Sequence, residues 1–413
     1  LSNIIDKLKL IAHRYHLYIA LTILAVMFAL SFFTMQKDSA IVDEIAHIPA
    51  GYSYIKYGDY RLNPEHPPLI KDLAAAPLFL LKLQFPENIK AWSVDANGQW
   101  EVGWNFLYHI GNNATEILLY SRMPILVLSL VLGFCIYYFC LKRFGPSVAI
   151  LALVFYALSP NVLAHNHFVT TDLGIAAFTF FSIWTFLNWI ENPTGKINIL
   201  LATIFFALAQ VTKFSAIMLV PFFIGLVVLK LLVLIKTKDF WKRFWQYLVG
   251  GIIIFAGGFL LVWLFYIPHT INMPASMQDK LIQESLPSGY YDRYGKTLES
   301  LNNIPIVKPL TQYVLGLLMV VNRVRSGNIT YFLGDATNQS FFWYFPVSFV
   351  LKTPLPMLIL ILAAIVFGII SYLRHKPLQV WSNFKEYTKN HFVELTSISF
   401  IVFYSYLSIT GNL

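Results

Sequence analysis

Nine apolar stretches of roughly 15 to 21 residues recur along this chain, and they decide which solvent it can fold in. They cover about Leu17–Met35, Met123–Leu141, Val148–Leu163, Leu173–Ile190, Ile197–Val211, Ser215–Ile235, Tyr247–Ile267, Pro354–Leu373 and Phe392–Thr410. A helix needs about 20 apolar residues to cross the hydrocarbon of a bilayer. Only 12% of the 413 residues are charged, against about 25% in a water-soluble domain. The expected fold is therefore an all-α, polytopic bundle of about nine transmembrane helices. A membrane β-barrel would show short alternating strands instead, and none are evident.

The charges say which side each loop faces. The N-terminal segment Lys7–His16 is basic, as are Lys142-Arg143, the Lys236–Arg243 segment and Arg374-His375-Lys376. Alternating the spans puts all of these on the cytoplasmic side, as the positive-inside pattern requires. Two long segments, 36–116 and 268–352, then fall outside. The first carries ten carboxylates against six Lys and Arg residues, which suits an extracytoplasmic loop. The expected location is the plasma or inner membrane, with a cytoplasmic N terminus and an extracytoplasmic active site.

The net charge of +9 gathers at span ends, so a nucleic-acid partner is not expected. The two cysteines, Cys135 and Cys140, share one apolar stretch and read as small apolar residues. No internal repeat, low-complexity segment or soluble domain interrupts the single domain expected over 1–413. The first apolar stretch is long enough to be retained as a span.

The first outer loop is organised. Ile45–Ile55 and about Leu69–Leu83 each have the apolar and aromatic content of a helix lying at the membrane interface. Asp43-Glu44 begins the first. Arg61-Leu62-Asn63-Pro64-Glu65-His66-Pro67-Pro68 leads into the second, whose prolines suit a first helical turn.

Each candidate has a plain structural reading beside the chemical one. Asp43, Glu44 and Asp172 can cap helix N-termini. His66 can be solvated or can cap a helix. Lys213 stands in the Thr212-Lys213-Phe214 turn between the fifth and sixth stretches, where a lysine can snorkel to the surface or face a partner. Arg323 and Arg325 can be surface charges, and Phe341–Phe345, with Trp343 and Tyr344, can be an interfacial aromatic belt. Taken together, these groups suit a reaction on an amphiphile. A carboxylate takes a proton from an acceptor hydroxyl, a Lys or Arg meets a phosphate leaving group, aromatics stack on a sugar, and an apolar groove receives a prenyl chain.

In order and sidedness, these markers resemble the bacterial and archaeal members of the protein O-mannosyltransferase and aminoarabinose-transferase group. These are GT-C-fold glycosyltransferases that use polyprenyl-phosphate sugars. The markers are Asp43-Glu44, Asn63-Pro64-Glu65-His66-Pro67-Pro68-Leu69, Ser159-Pro160 with Asp172, Thr212-Lys213, Tyr331-Phe332-Leu333-Gly334, Trp343-Tyr344-Phe345-Pro346 and Lys352-Thr353-Pro354-Leu355-Pro356. The resemblance covers essentially the whole chain. It implies that Asp43 is the general base or orients the acceptor, with Glu44 assisting, and that Asp172, also catalytic, matches a second acidic position on the outer side. It implies substrate binding by Glu65, His66, Lys213, Arg323, Arg325, Trp343 and Tyr344. Aminoarabinose transferases carry a lysine where His66 stands, so the charge here depends on pH. Members of the group usually continue for further spans, so a C-terminal truncation at Leu413 is expected.

The expected activity is transfer of a sugar from a polyprenyl-phosphate donor to a hydroxyl on a protein, glycolipid or glycan, by inverting direct displacement. No cofactor is required, although Asp43 with Asp172 could hold a divalent cation. The alternative is a flippase or transporter of polyprenyl-linked sugars. A transporter would carry its polar groups in mid-span and have short outer loops; here the charges gather at the outer ends and the loops are long. A non-catalytic membrane assembly subunit is a third reading.

Overall fold

The computed structural model describes residues 2–327, 329–337, 341–374 and 380–411. In chain order the helices are α1 (Ser2–Met35), α2 (Val42–Tyr57), α3 (Leu69–Ala75), α4 (Lys90–Ser93), α5 (Gln99–Trp104), α6 (Ala114–Phe144), α7 (Pro146–Ala157) and α8 (Pro160–His165). They continue as α9 (Thr171–Glu191), α10 (Lys196–Gln210), α11 (Leu219–Leu234), α12 (Phe240–Thr270), α13 (Ala275–Ser285), α14 (Ser288–Tyr290), α15 (Lys296–Asn302) and α16 (Lys308–Ser326). The strands β1 (Thr330–Phe332) and β2 (Asp335–Thr337) come next, then α17 (Tyr344–Lys352), α18 (Leu355–Arg374), α19 (Val380–Asn390) and α20 (Phe392–Thr410). The fold is the all-α polytopic bundle expected.

Among the described residues, six helices are long and apolar enough to cross a membrane, or seven if the bent pair of α17 and α18 is one span. The third and fifth expected spans are α7 and α10, of 12 and 15 residues. At 1.5 Å per residue these reach about 18 and 22 Å, short of a bilayer core of about 30 Å. Ser159-Pro160 cuts the third stretch, and α8 resumes beyond it. Thr353-Pro354 separates α17 from α18, which meet at a bend of 115° just before the eighth stretch, because a residue before proline avoids the helical region.

The chain forms two compact units. The first comprises 1–177, 211–213 and 263–316. Its centre is a seam of Ala20, Leu24 and Met27 from α1, Tyr137 from α6, and Ala149, Leu153 and Ala157 from α7. Alanines at this seam let helix backbones approach, which is how membrane helices gain packing. Leu17, Tyr18, Leu21 and Phe33 remain exposed on α1, as a lipid-facing side would be. Within the same unit α2 packs on α3 and α5, and α3 on α6. Residues 46–54 of α2 are all buried, so this helix is enclosed rather than lying with one face open. The second helical segment of the loop is α helix over Leu69–Ala75 and a 3-10 turn over Ala76–Leu80.

The second unit comprises 178–210, 214–262 and 317–413. Aromatic packing dominates it. Phe186 stacks on Phe223 with centroids 3.9 Å apart, and Trp189 meets Phe186 and Tyr247. The Tyr331–Asp335 motif forms a tight hairpin in which Phe332 pairs with Asp335, turning through Leu333 and Gly334, both at positive φ.

Candidate active site

The first turn of α2 carries Asp43 and Glu44. Successive residues on a helix point about 100° apart. Asp43 is exposed, whereas Glu44 is fully buried. Glu44 Oε2 accepts the Ile41 N–H at 3.1 Å, the capping contact that its position allows. The carboxylate also receives Arg122, Nε to Oε1 at 2.8 Å and Nη2 to Oε2 at 2.7 Å. The remaining Arg122 donors reach the carbonyls of Met35 and Asp38 at 2.9 Å and Ser39 at 2.8 Å. All five guanidinium N–H groups have acceptors. The pair ties α6, the end of α1 and the start of α2 into one body.

The same face work of α2 fixes Asp172. Val169 is held from both sides: its N–H donates to Glu44 Oε1 at 3.1 Å, and its carbonyl accepts from His47 Nδ1 at 2.8 Å. Three residues later Asp172 stands in the first turn of α9 and accepts from Lys213 Nζ at 2.8 Å. Lys213 is set by α3, because the Leu69 N–H donates to the Val211 carbonyl at 3.0 Å. Gly174 eases this approach: a Cβ there would lie 2.3 Å from the Ile70 side chain and 3.1 Å from that of Thr212, so Ile70 would have to shift.

His47 is buried, with its Nδ1 contact to Val169 three residues before Asp172. Its ring meets that of His66 edge-on, with centroids 5.2 Å apart. Burial, and then the charge of Lys71, pushes its pKa down to about 4. Asp172 raises it and Lys213 lowers it in smaller measure, so both charges lie in its electrostatic neighbourhood. With Nδ1–H given to Val169, neutral His47 keeps an acceptor at Nε2. Asp43 precedes His47 by four residues and so shares its face of α2.

The Asn63–His66 turn is built around a buried cation. Lys71 is fully buried, and its Nζ reaches Tyr54 Oη at 2.7 Å, the Asn63 carbonyl at 2.9 Å, Asn63 Oδ1 at 3.0 Å and the His66 carbonyl at 2.7 Å. Every partner accepts, since Tyr54 gives its own proton to the Leu62 carbonyl. Burial pushes the Lys71 pKa down to about 7, while Glu65 and Asp72 pull it back up. Asn63 adopts φ +50°, a conformation that asparagine tolerates. Glu65 accepts from Gln99 Nε2 at 2.6 Å and Asn97 Nδ2 at 3.4 Å. Beneath the turn, Asp72 pairs with His269 Nε2 at 2.7 Å, and burial raises the Asp72 pKa. A further pair joins His167 Nε2 to Asp38 Oδ2 at 3.0 Å.

The expected site residues have different settings. Asp172 and Lys213 are joined directly, His66 packs on His47, and Glu65 braces the turn. Glu44 points into the protein and holds Arg122. Arg323 and Arg325, exposed in the last turn of α16, belong to the second unit, as do exposed Trp343 and half-buried Tyr344 at the start of α17. Tyr344 meets Phe332 of the hairpin, with centroids 5.9 Å apart. Sequence reasoning missed Arg122, His47, Lys71, Asp38 and His167. Arg122 had a signal, because it is a lone charge at the edge of an apolar stretch. Among the described residues, no group of three or more His, Cys, Asp or Glu side chains is arranged to hold a metal ion.

Residues 105–263 match the family model described as dolichyl-phosphate-mannose-protein mannosyltransferase. The match includes Arg122, Asp172 and Lys213 and begins beyond α2 and α3. With the apolar helical architecture, it supports a GT-C membrane glycosyltransferase of the kind that draws sugar from a polyprenyl-phosphate donor. No curated protein and no solved structure matches the chain.

Proposed function

We propose that this chain transfers a sugar from a polyprenyl-phosphate donor to a hydroxyl acceptor at the extracytoplasmic face, by one inverting displacement. The observation that carries the reading is the open Lys213–Asp172 pair, 2.8 Å apart, beside the His47–His66 contact and the α2 face that bears Asp43. The acceptor oxygen bonds to the anomeric carbon as the carbon–oxygen bond to phosphate breaks. The acceptor proton passes to Asp43, and the electron pair leaves on polyprenyl phosphate. Lys213 meets the growing phosphate charge, with Asp172 holding the lysine in place before the donor arrives. His66, carried on the Lys71-centred turn, adds a donor to the phosphate when protonated. No resident metal is needed for this step.

Asp43→Asn tests the assignment in nanodiscs, with a polyprenyl-phosphate sugar and a hydroxyl acceptor. Transfer is expected to fall by about 100-fold or more. The melting temperature should hold, because the side chain is exposed. Unchanged transfer would remove Asp43 from the chemistry. Lipid flipping by the wild-type chain without any transfer would make it a transporter instead.

A further inference from the structure

We infer that the first unit carries a carbohydrate-binding platform on α5, and that the acceptor it serves is a glycan; this rests on the glycosyltransferase reading above. The helix over Gln99–Trp104 continues as a π turn over Asn105–His109. Trp100, Trp104 and Tyr108 are spaced four residues apart on it and are 51%, 51% and 43% exposed. Residues four apart share one side of a helix, and the Trp104 and Tyr108 rings lie 4.9 Å apart, tilted by 57° to each other. The stripe spans about 12 Å along the axis, enough for two or three sugar rings.

The opposite side of this helix is welded to α2. Val102 and Phe106 are fully buried, and a Cβ on Gly103 would lie 1.8 Å from the Ile45 carbonyl. That carbonyl lacks its usual helical donor, because the residue four on is Pro49. Glycine alone lets the platform sit this close, two residues from Asp43. At its far end Tyr108 lines a cavity of about 500 Å³, between the Met35 end of α1 and the Ala114 end of α6. Gln36, Lys37, Asp38, Ser39 and Thr115 also line it. Met35, Ala40, Leu118 and Leu119 line it too, so an amide, a cation, a carboxylate and two hydroxyls stand beside apolar surface, which matches the polar edge and apolar face of a sugar ring. The chain runs from this cavity through Ala40 to Asp43, at most about 10 Å away. A flat apolar ring face stacked on aromatics, with its hydroxyls in a polar pocket, is the arrangement a sugar needs and an extended peptide does not.

The test is equilibrium binding of mannotetraose, chitotetraose and a Ser/Thr-rich peptide to the chain in nanodiscs, for wild type, Trp100→Ala and Trp104→Ala. Binding requires no turnover, so its outcome is separate from that of the transfer assay. One oligosaccharide should bind the wild type, and each variant should weaken it by about tenfold. Binding of neither oligosaccharide overturns the proposal, as does binding that both variants retain. A peptide that binds the wild type and loses affinity in the variants makes the platform a protein-acceptor site instead. Trp100→Phe and Trp104→Phe read the remaining alternative: loss of fluorescence quenching by acyl-brominated lipids in these variants would make the stripe a membrane belt.

Discussion

Two ion pairs of the first unit have the same chemistry and opposite settings. Glu44–Arg122 has both side chains fully buried, with every guanidinium donor occupied. Lys213–Asp172 is a single 2.8 Å contact between side chains 33% and 58% exposed. A saturated buried pair has no valence left for a substrate and is costly to break. An open pair loses little when it parts, so it can exchange one partner for a phosphate. On the proposed reading the difference separates scaffold from site, although both pairs reach Asp172: Glu44 does so through Val169, and Lys213 by touching it.

The sharpest way to break this comparison is Arg122→Met. It strands Glu44 in the interior and frees the carbonyls of Met35, Asp38 and Ser39. A loss of about 3–5 kcal/mol is expected, seen as a large drop in melting temperature or in the yield of folded protein. The double change Glu44→Leu with Arg122→Met should recover part of that stability, because no lone charge remains buried. A stable but inactive Arg122→Met protein would contradict the scaffold role and move Arg122 into the reaction.

The sequence made one of these pairs legible and hid the other. Asp172 and Lys213 end neighbouring apolar stretches on the same side, so alternation of the spans already brings them close. Asp43 and Glu44 look like twins in sequence. Helical geometry turns them apart, but which one faces inward depends on Arg122, 78 residues away. Lys71 reads as one more basic residue in an acidic loop; only the folded turn shows four acceptors converging on it. The apolar stretches located the helices well. The length of the third was less legible, because Ser159-Pro160 acts through backbone sterics rather than hydropathy.

His47 links the two pairs and gives the comparison a pH dependence. Its pKa is about 4 when folded and 6.5 in its ordinary state. Between these values the unfolded chain takes up a proton that the folded chain refuses. The stabilising contribution is therefore complete above pH 6.5 and is lost as pH falls through about 4. Thermal unfolding from pH 7 to 4 should show this decline. His47→Gln, which can still donate to the Val169 carbonyl, should flatten it. An unchanged slope in that variant would mean that other groups set the acid sensitivity.

The smallest expected effect on stability belongs to the pair that the proposed reaction uses. Asp172→Asn removes the charge that holds Lys213, yet exposure screens the contact, and the loss should be about 1 kcal/mol at most. Transfer should nevertheless drop by roughly 100-fold, since a lysine no longer held in place meets the donor phosphate in many geometries. Lys213→Arg keeps the charge but changes the shape of the donor, so it should retain more activity than Lys213→Met, with nearly equal melting temperatures. If Asp172→Asn instead destabilised the fold as strongly as Arg122→Met does, the open pair would also be scaffold. The distinction between the two pairs would then reduce to their exposure alone.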